Sequence, residues 1–247
     1  MNKAVRLWVL GVGCAGVAVL FAGAFRRLPE FGGSHHPYGA RAVAAALHRH
    51  TANVVSSVNF DQRSFDTLGE QAILFGAVLG TVVVLRQAKD ERRVPPEPAV
   101  VAPTVRGYAL VSLPLTLLVG LYVVAHGQLS PGGGFQGGLV VATALHLLYV
   151  AVDYRALERL RPVPVFALAD AFGDAAYLLL GLAVLVAGAS FLGNVLPLGT
   201  FNTLASGGIV PLLNAAIGIE VAAAAVVLLA QFLDQALELV PRDGEHR

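Results

Sequence analysis

The stretch Gly127-Gln-Leu-Ser-Pro-Gly-Gly-Gly-Phe-Gln-Gly-Gly-Leu-Val-Val-Ala-Thr-Ala-Leu-His-Leu-Leu-Tyr149 contains no Asp, Glu, Lys or Arg and lies between apolar runs. Within it Gly132, Gly133, Gly134, Gly137 and Gly138 surround Phe135 directly after Pro131. Glycine has no Cβ, so it reaches positive φ and lets backbones approach closely. At a connection between helices this pattern predicts a tight turn wedged against its neighbours, with Phe135 as the large anchor. A phosphate cradle is the other use of glycine-rich loops. The Gly-Lys-Ser/Thr ending of a P-loop is missing, which argues against a nucleotide site.

The rest of the chain shares this apolar character. Of 247 residues, 56% are hydrophobic and 13% charged, with a mean hydropathy of +0.69. Soluble domains are about a quarter charged, so polar surface is too scarce for a globule in water and a membrane is the natural solvent. A net charge of +1 gives no basic bulk to recruit nucleic acid. The single cysteine, Cys14, excludes an intrachain disulfide and a multi-cysteine metal site. Lys3 and Arg6 precede the run Leu7–Phe25 as they would in a signal peptide. That run is long enough to span a bilayer, which takes about 20 apolar residues, and five further runs follow, so it reads as a retained first helix.

The expected fold is all-α and polytopic, with about six transmembrane helices. They fall near Leu7–Phe25, Leu68–Leu85, Tyr108–His126, Phe135–Val152, Ala175–Leu196 and Ile209–Phe232. Between the second and third, Lys89-Asp-Glu-Arg-Arg93 and Val94-Pro-Pro-Glu-Pro98 mark a semi-rigid linker. Three segments result: a two-helix front module (1–86), the linker (87–105) and a four-helix back module (106–247). No repeat relates the modules, so an inverted-repeat carrier within this chain has no support. Arg86, Lys89, Arg92, Arg93 and Arg106 around the linker, and Arg155, Arg159 and Arg161 after the fourth helix, place both chain ends and the linker in the cytoplasm. Arg26, Arg27, Arg41, Arg49 and Arg63 run against that assignment in the first connection, where Arg26 and Arg27 would meet lipid headgroups or partner carboxylates.

Ionisable side chains in apolar runs are candidates for an ion route, because each is costly unless protonated, paired or hydrated. Asp66 and Glu70 open the second helix four residues apart, on one face. Asp66 suits a helix N-terminus. Glu70 lies a turn further in, before an unbroken apolar run, where a carboxylate that exchanges protons or sodium would serve as a relay with Asp66 at its mouth. Glu220 lies deepest of all, read either as a transport group or as interhelical glue. Asn214 is six residues away and expected to face elsewhere. His146 sits mid-helix, where a neutral, hydrogen-bonded imidazole competes with a transport role. His126 closes the third helix, as at an aqueous entrance. His35, His36, His48 and His50 crowd the first connection without the companions of a metal site, so neither metal nor cofactor is expected. Gly69, Gly76 and Gly80 form a small-residue stripe on the second helix, read as helix packing within the chain, and Gly11, Gly13, Gly16 and Gly23 do the same in the first.

Two motifs carry a family resemblance. His126-Gly-Gln-Leu-Ser-Pro-Gly-Gly-Gly-Phe-Gln-Gly-Gly138 resembles the B-type subunit of the Mrp-type (Mnh-type) multisubunit sodium/proton antiporters, and with it the back module from Gly107 to about Leu239. The front module, through His36-Pro37, Ala52-Asn-Val-Val55 and Asp61-Gln-Arg-Ser-Phe-Asp-Thr-Leu-Gly-Glu70, resembles the small module fused to the end of the large A-type subunit. Such modules also occur in membrane-bound hydrogenases and related respiratory complexes. The resemblance implies a non-catalytic, multi-pass subunit of the plasma (inner) membrane. It would pack beside larger antiporter subunits and lipid and help line a route for sodium ions and protons. The alternatives are the membrane arm of a redox complex and a purely structural spacer. Asp66 and Glu70 coincide with carboxylates of the family pattern. Gln128 stands where the family often has histidine, and Glu220 is outside the pattern. No nucleophile elbow, zincin helix or dinucleotide fingerprint is present, so no enzyme activity is expected.

Overall fold

The computed structural model describes residues 3–28, 36–86, 91–93, 101–151, 162–233 and 237–239. Compact units divide after Ala40. The helices are α1 Lys3–Phe25, α2 Pro37–His48, α3 Val54–Ser57, α4 Ser64–Val84, α5 Pro103–Ala125, α6 Gly134–Ala151, α7 Val163–Val186 and α8 Val210–Leu233. A π-helical turn, Val58–Gln62, joins α3 to α4. Two strands of three residues, β1 Glu91–Arg93 and β2 Leu237–Leu239, pair antiparallel with Glu91 opposite Leu239. That pairing brings Glu91–Arg93 and the segment after α8 together. His35, Gln87, Lys89, residues 94–98, Val152, Arg155, Arg159 and Arg161, invoked above, lie outside the described residues.

Among the described residues, five helices are long and apolar enough to cross a membrane: α1 (from Leu7), α4, α5, α7 and α8. α6 has 18 residues, about 27 Å at 1.5 Å per residue, close to the ~30 Å hydrocarbon core. The architecture is the all-helical, polytopic one expected. The fifth span is displaced. It runs over Val163–Val186 rather than Ala175–Leu196, because Pro162 and Pro164 sit at the helix start, where proline is tolerated. The expected span left Asp170 and Asp174 outside the helix. They are in fact two of its inward residues, buried and half-buried. The chain after it turns at Gly188 (φ 86°) and Leu192 (φ 59°). Asn194 closes that segment on α8, accepting from Ile209 N at 3.0 Å and donating to Gly207 O at 3.1 Å.

α8 is the central element, packed by α4, α5, α6 and α7, with buried residues along its length from Val210 to Ala230. Its inward residues are mostly alanine, valine and glycine, which let the surrounding helices come close. The main core joins Phe60, Tyr177, Val184, Leu192, Ile209, Leu213 and Ile217. A second cluster, Val78, Ala224 and Val227, seals α4 to α8.

Candidate functional site

The glycine motif is a backbone joint. Gly132 and Gly133 hold φ of 123° and 137°, values that L side chains avoid, and α6 starts immediately after at Gly134. The tightness continues down α6. A Cβ on Gly134 would stand 2.6 Å from Ile217 Cβ, and one on Gly137 2.7 Å from Val124 N. One on Gly138 would stand 2.8 Å from Gly218 O. The motif thus seats α6 against α5 and α8 together. Pro131 is exposed, while Phe135 is half-buried against the main core. This is the wedged turn the sequence predicts.

Two asparagines fasten the front of the chain to this joint. Asn53 caps α3, accepting from Val55 N at 3.1 Å and Ser56 N at 3.3 Å. Its amide donates to Gly127 O at 2.8 Å and Ser130 O at 2.7 Å. Asn214, on α8, accepts from Gly134 N at 2.9 Å and donates to Ser56 Oγ at 3.0 Å. Gln128, fully buried, donates to Leu204 O at 2.8 Å. These amides are spent on holding the joint together. Asn214 and Glu220 do serve different surroundings, as their spacing predicts.

The acidic residues fall into two groups. On α4, Asp66 and Glu70 are both exposed on the surface of the chain. Asp66 pairs with Arg63. Glu70 has no hydrogen bond or ion pair among the described residues. Between them Gly69, and beyond them Gly76 and Gly80, meet nothing within 4 Å. That stripe does not pack among the described residues, contrary to the expectation, because α4 turns Ser64, Thr67, Gln71 and Val78 inward instead. Glu220 is fully buried, and its Oε2 accepts from Gln71 Nε2. Asp174 and Asp170 of α7 lie near enough to bear on it electrostatically. Tyr177, also fully buried, donates to Ser64 O at 2.9 Å and stands within electrostatic reach of both Glu70 and Glu220. Glu70 and Glu220 therefore share Tyr177 as a neighbour, one from the surface and one from the interior.

The histidines stay apart from that neighbourhood along the chain. His126 caps α5, stacked on Tyr122 with ring centroids 3.8 Å apart, its Nδ1 3.0 Å from Tyr122 O. His146 is half-buried in α6, about 18 Å along the helix from Gly134. Sequence reading missed Gln71, Asp170 and Asp174. Their only available signal was helical spacing from Glu70 and from the apolar run that follows them.

A family model described as a domain related to the MnhB subunit of Na+/H+ antiporter matches residues 104–227, half of the chain. The chain belongs to this family. Its likeness to the B-type subunit of the Na+/H+ antiporter of Bacillus subtilis is 37% identity over 78 residues, 32% of this chain and 54% of that one. The match spans about half of that relative. Among solved structures, a chain of the membrane-bound sulfane sulfur reductase, an archaeal respiratory membrane complex, superposes with a TM-score of 0.69 at 26% identity. The match covers 93% of this chain and 98% of that one. A chain of the Mrp complex from Dietzia sp. has the same fold, with a TM-score of 0.68 at 24% identity, covering 96% of this chain and 26% of that one. This MnhB-related protein is a multi-pass protein of the cell membrane.

Proposed function

We propose that the chain is a non-catalytic subunit of a multisubunit sodium/proton antiporter, holding the larger subunits and helping to form an ion pathway. The MnhB-related match over the back module carries the assignment to antiporter-type assemblies. The division into a front module resembling the end of the A-type subunit, a linker and a B-type module belongs to the same reading. The observation that carries the pathway is the outward pair on α4. Glu70 lies on a helix long and apolar enough to cross the membrane, exposed on this chain and unpaired among the described residues. A carboxylate left facing hydrocarbon would be strongly disfavoured, so the face is one that partner subunits and a hydrated route complete. Asp66 is then the mouth and Glu70 the relay. Glu220 is the interior group, His126 lies at an aqueous end, and His146 lies further along α6.

The test is Glu70→Gln in the assembled complex, with Na+/H+ exchange measured in everted vesicles and assembly checked by co-purification. Exchange is expected to fall at least tenfold with assembly intact. Normal exchange would remove Glu70 from the route.

A second reading makes the chain the membrane arm of a redox complex. What favours it is the nearly end-to-end likeness to the sulfane sulfur reductase chain. The proteins retained in mild detergent separate the two: large antiporter-like subunits alone for the first, iron–sulfur subunits as well for the second.

A further inference from the structure

Three neighbouring helices bury polar side chains in the bundle, where Gln71 bonds Glu220 and Asp170 bears on Glu220 electrostatically. Gln71 of α4, Asp170 of α7 and Glu220 of α8 are 0%, 3% and 0% exposed. Each keeps one buried oxygen without a hydrogen-bond partner: Gln71 Oε1, Asp170 Oδ1 and Glu220 Oε1. The Gln71 amide donates to Glu220 Oε2, which fixes its own carbonyl oxygen beside that carboxylate. α7 reaches the spot through Gly173, where a Cβ would stand 2.7 Å from Glu220 Cβ and 2.8 Å from Glu220 N. Asp170 is three residues from that contact and Asp174 one.

Positive charge from the described residues is missing here. Their ion pairs are Arg49–Asp61 and Arg63–Asp66, and neither involves this cluster. The groups that bear on Glu220 are Gln71 from α4, and Asp174, Asp170 and Tyr177 from α7. On the α6 side the contact is made by Gly138, which packs on Gly218 and Val221. An ionised carboxylate buried without a partner is strongly disfavoured, and here two buried carboxyls and a third, half-buried one share one apolar interior. Their charge has to be offset by something that enters. The offered atoms are all oxygen, the ligand type of hard cations. A divalent ion of the calcium type takes six to eight oxygens, more than the three unpartnered oxygens offered here.

We propose that Glu220, Asp170 and Gln71 form a buried site for a single monovalent cation, a proton or a sodium ion, distinct from the acidic pair on the surface of α4. The site deepens the pathway reading above, on which it rests, by naming where a cation resides inside the chain. Tyr177 stands within electrostatic reach of both the outer Glu70 and the inner Glu220.

Infrared difference spectroscopy on the purified complex tests this. One arm steps the pH at fixed sodium. The other exchanges sodium for choline at fixed pH. A proton appears as a protonated-carboxyl C=O band in the first arm, and a sodium ion as a shift of the carboxylate bands in the second. Either signal must vanish completely in Glu220→Gln and change in Asp170→Asn. Should Glu220→Gln fail to assemble, Gln71→Met serves, because removing the amide donor must displace the Glu220 band while leaving the acid in place. Absence of any Glu220-dependent band in both arms, or a band that Gln71→Met leaves unmoved, overturns the proposal. The measurement needs no transport. Normal exchange in Glu70→Gln with the Glu220 band present would therefore refute the outer pathway and leave the inner site standing.

Discussion

Replacing Gly138 by alanine adds one methyl group at the place where α6 lies closest to α8. The new Cβ would stand 2.8 Å from Gly218 O, 3.0 Å from Val221 Cβ and 3.1 Å from Ala222 N. Ordinary contact between such atoms begins near about 3.5 Å, so the helices must separate by several tenths of an ångström. Two of the three obstructing atoms are backbone, which no rotamer change relieves. Overpacking of this kind costs about 1–3 kcal/mol, and alanine's better helix propensity returns about 1 kcal/mol. Because the clash is with backbone, the upper part of the range applies and a net loss of about 1–2 kcal/mol is expected. That is a five- to thirtyfold fall in the folded-to-unfolded ratio. The control is Gly76→Ala on α4, where nothing lies within 4 Å and the propensity gain should appear alone. Detergent-titrated unfolding of the purified protein, followed by circular dichroism, gives both values on one scale. If Gly138→Ala unfolds with or after Gly76→Ala, the close approach of α6 and α8 is wrong.

Two other substitutions test the remaining joints. Asn214→Leu removes the acceptor for Gly134 N and the donor to Ser56 Oγ. Polar contacts between membrane helices average about 0.6 kcal/mol, rising to about 1–3 kcal/mol where a buried group is left unsatisfied. A loss of about 2–3 kcal/mol in the same unfolding assay is therefore expected, together with faster proteolysis at the turn over residues 127–133. Tyr177→Phe deletes the donation to Ser64 O at 2.9 Å and should cost about 1 kcal/mol. It should do so without changing which subunits co-purify, since Tyr177 is fully buried in the chain.

Apolar run length was legible, and it set the six long apolar helices and five of their six positions. The glycine run was legible too, because positive φ and close approach both follow from a missing Cβ. Failure came where one residue type serves two purposes. Asp170 and Asp174 drew no notice because the expected span began after them, at Ala175, and acids usually stay outside hydrocarbon. In the folded chain Asp170 is 3% exposed. No local pattern distinguishes an acid that ends a span from one that faces another acid across an interface, since the difference lies in a partner about fifty residues away in α8. The same limit hid Gln71, an ordinary polar residue until Glu220 is opposite it. For the stripe of Gly69, Gly76 and Gly80, spacing marked a face of small residues but could not say whether this chain or another packs there.

α4 shows how these pieces bear on one another. Its inward residues, Ser64, Thr67, Gln71 and Val78, are buried, and Gln71 reaches the interior acid. Its outward residues include Asp66, Gly69, Glu70, Gly76 and Gly80, where a methyl on any of the three glycines would meet nothing. Gln71 follows Glu70 directly, about 100° further round the helix, so a single helix presents one acid to its surroundings and an amide to another acid within. A small rotation of α4 would disturb both at once, loosening the Gln71–Glu220 bond while re-aiming Glu70. If cations pass between the outer and inner groups, Gln71→Met and Glu70→Gln must then show coupling in a double-mutant cycle on transport. Strict additivity would mean that the two faces of α4 serve independent ends.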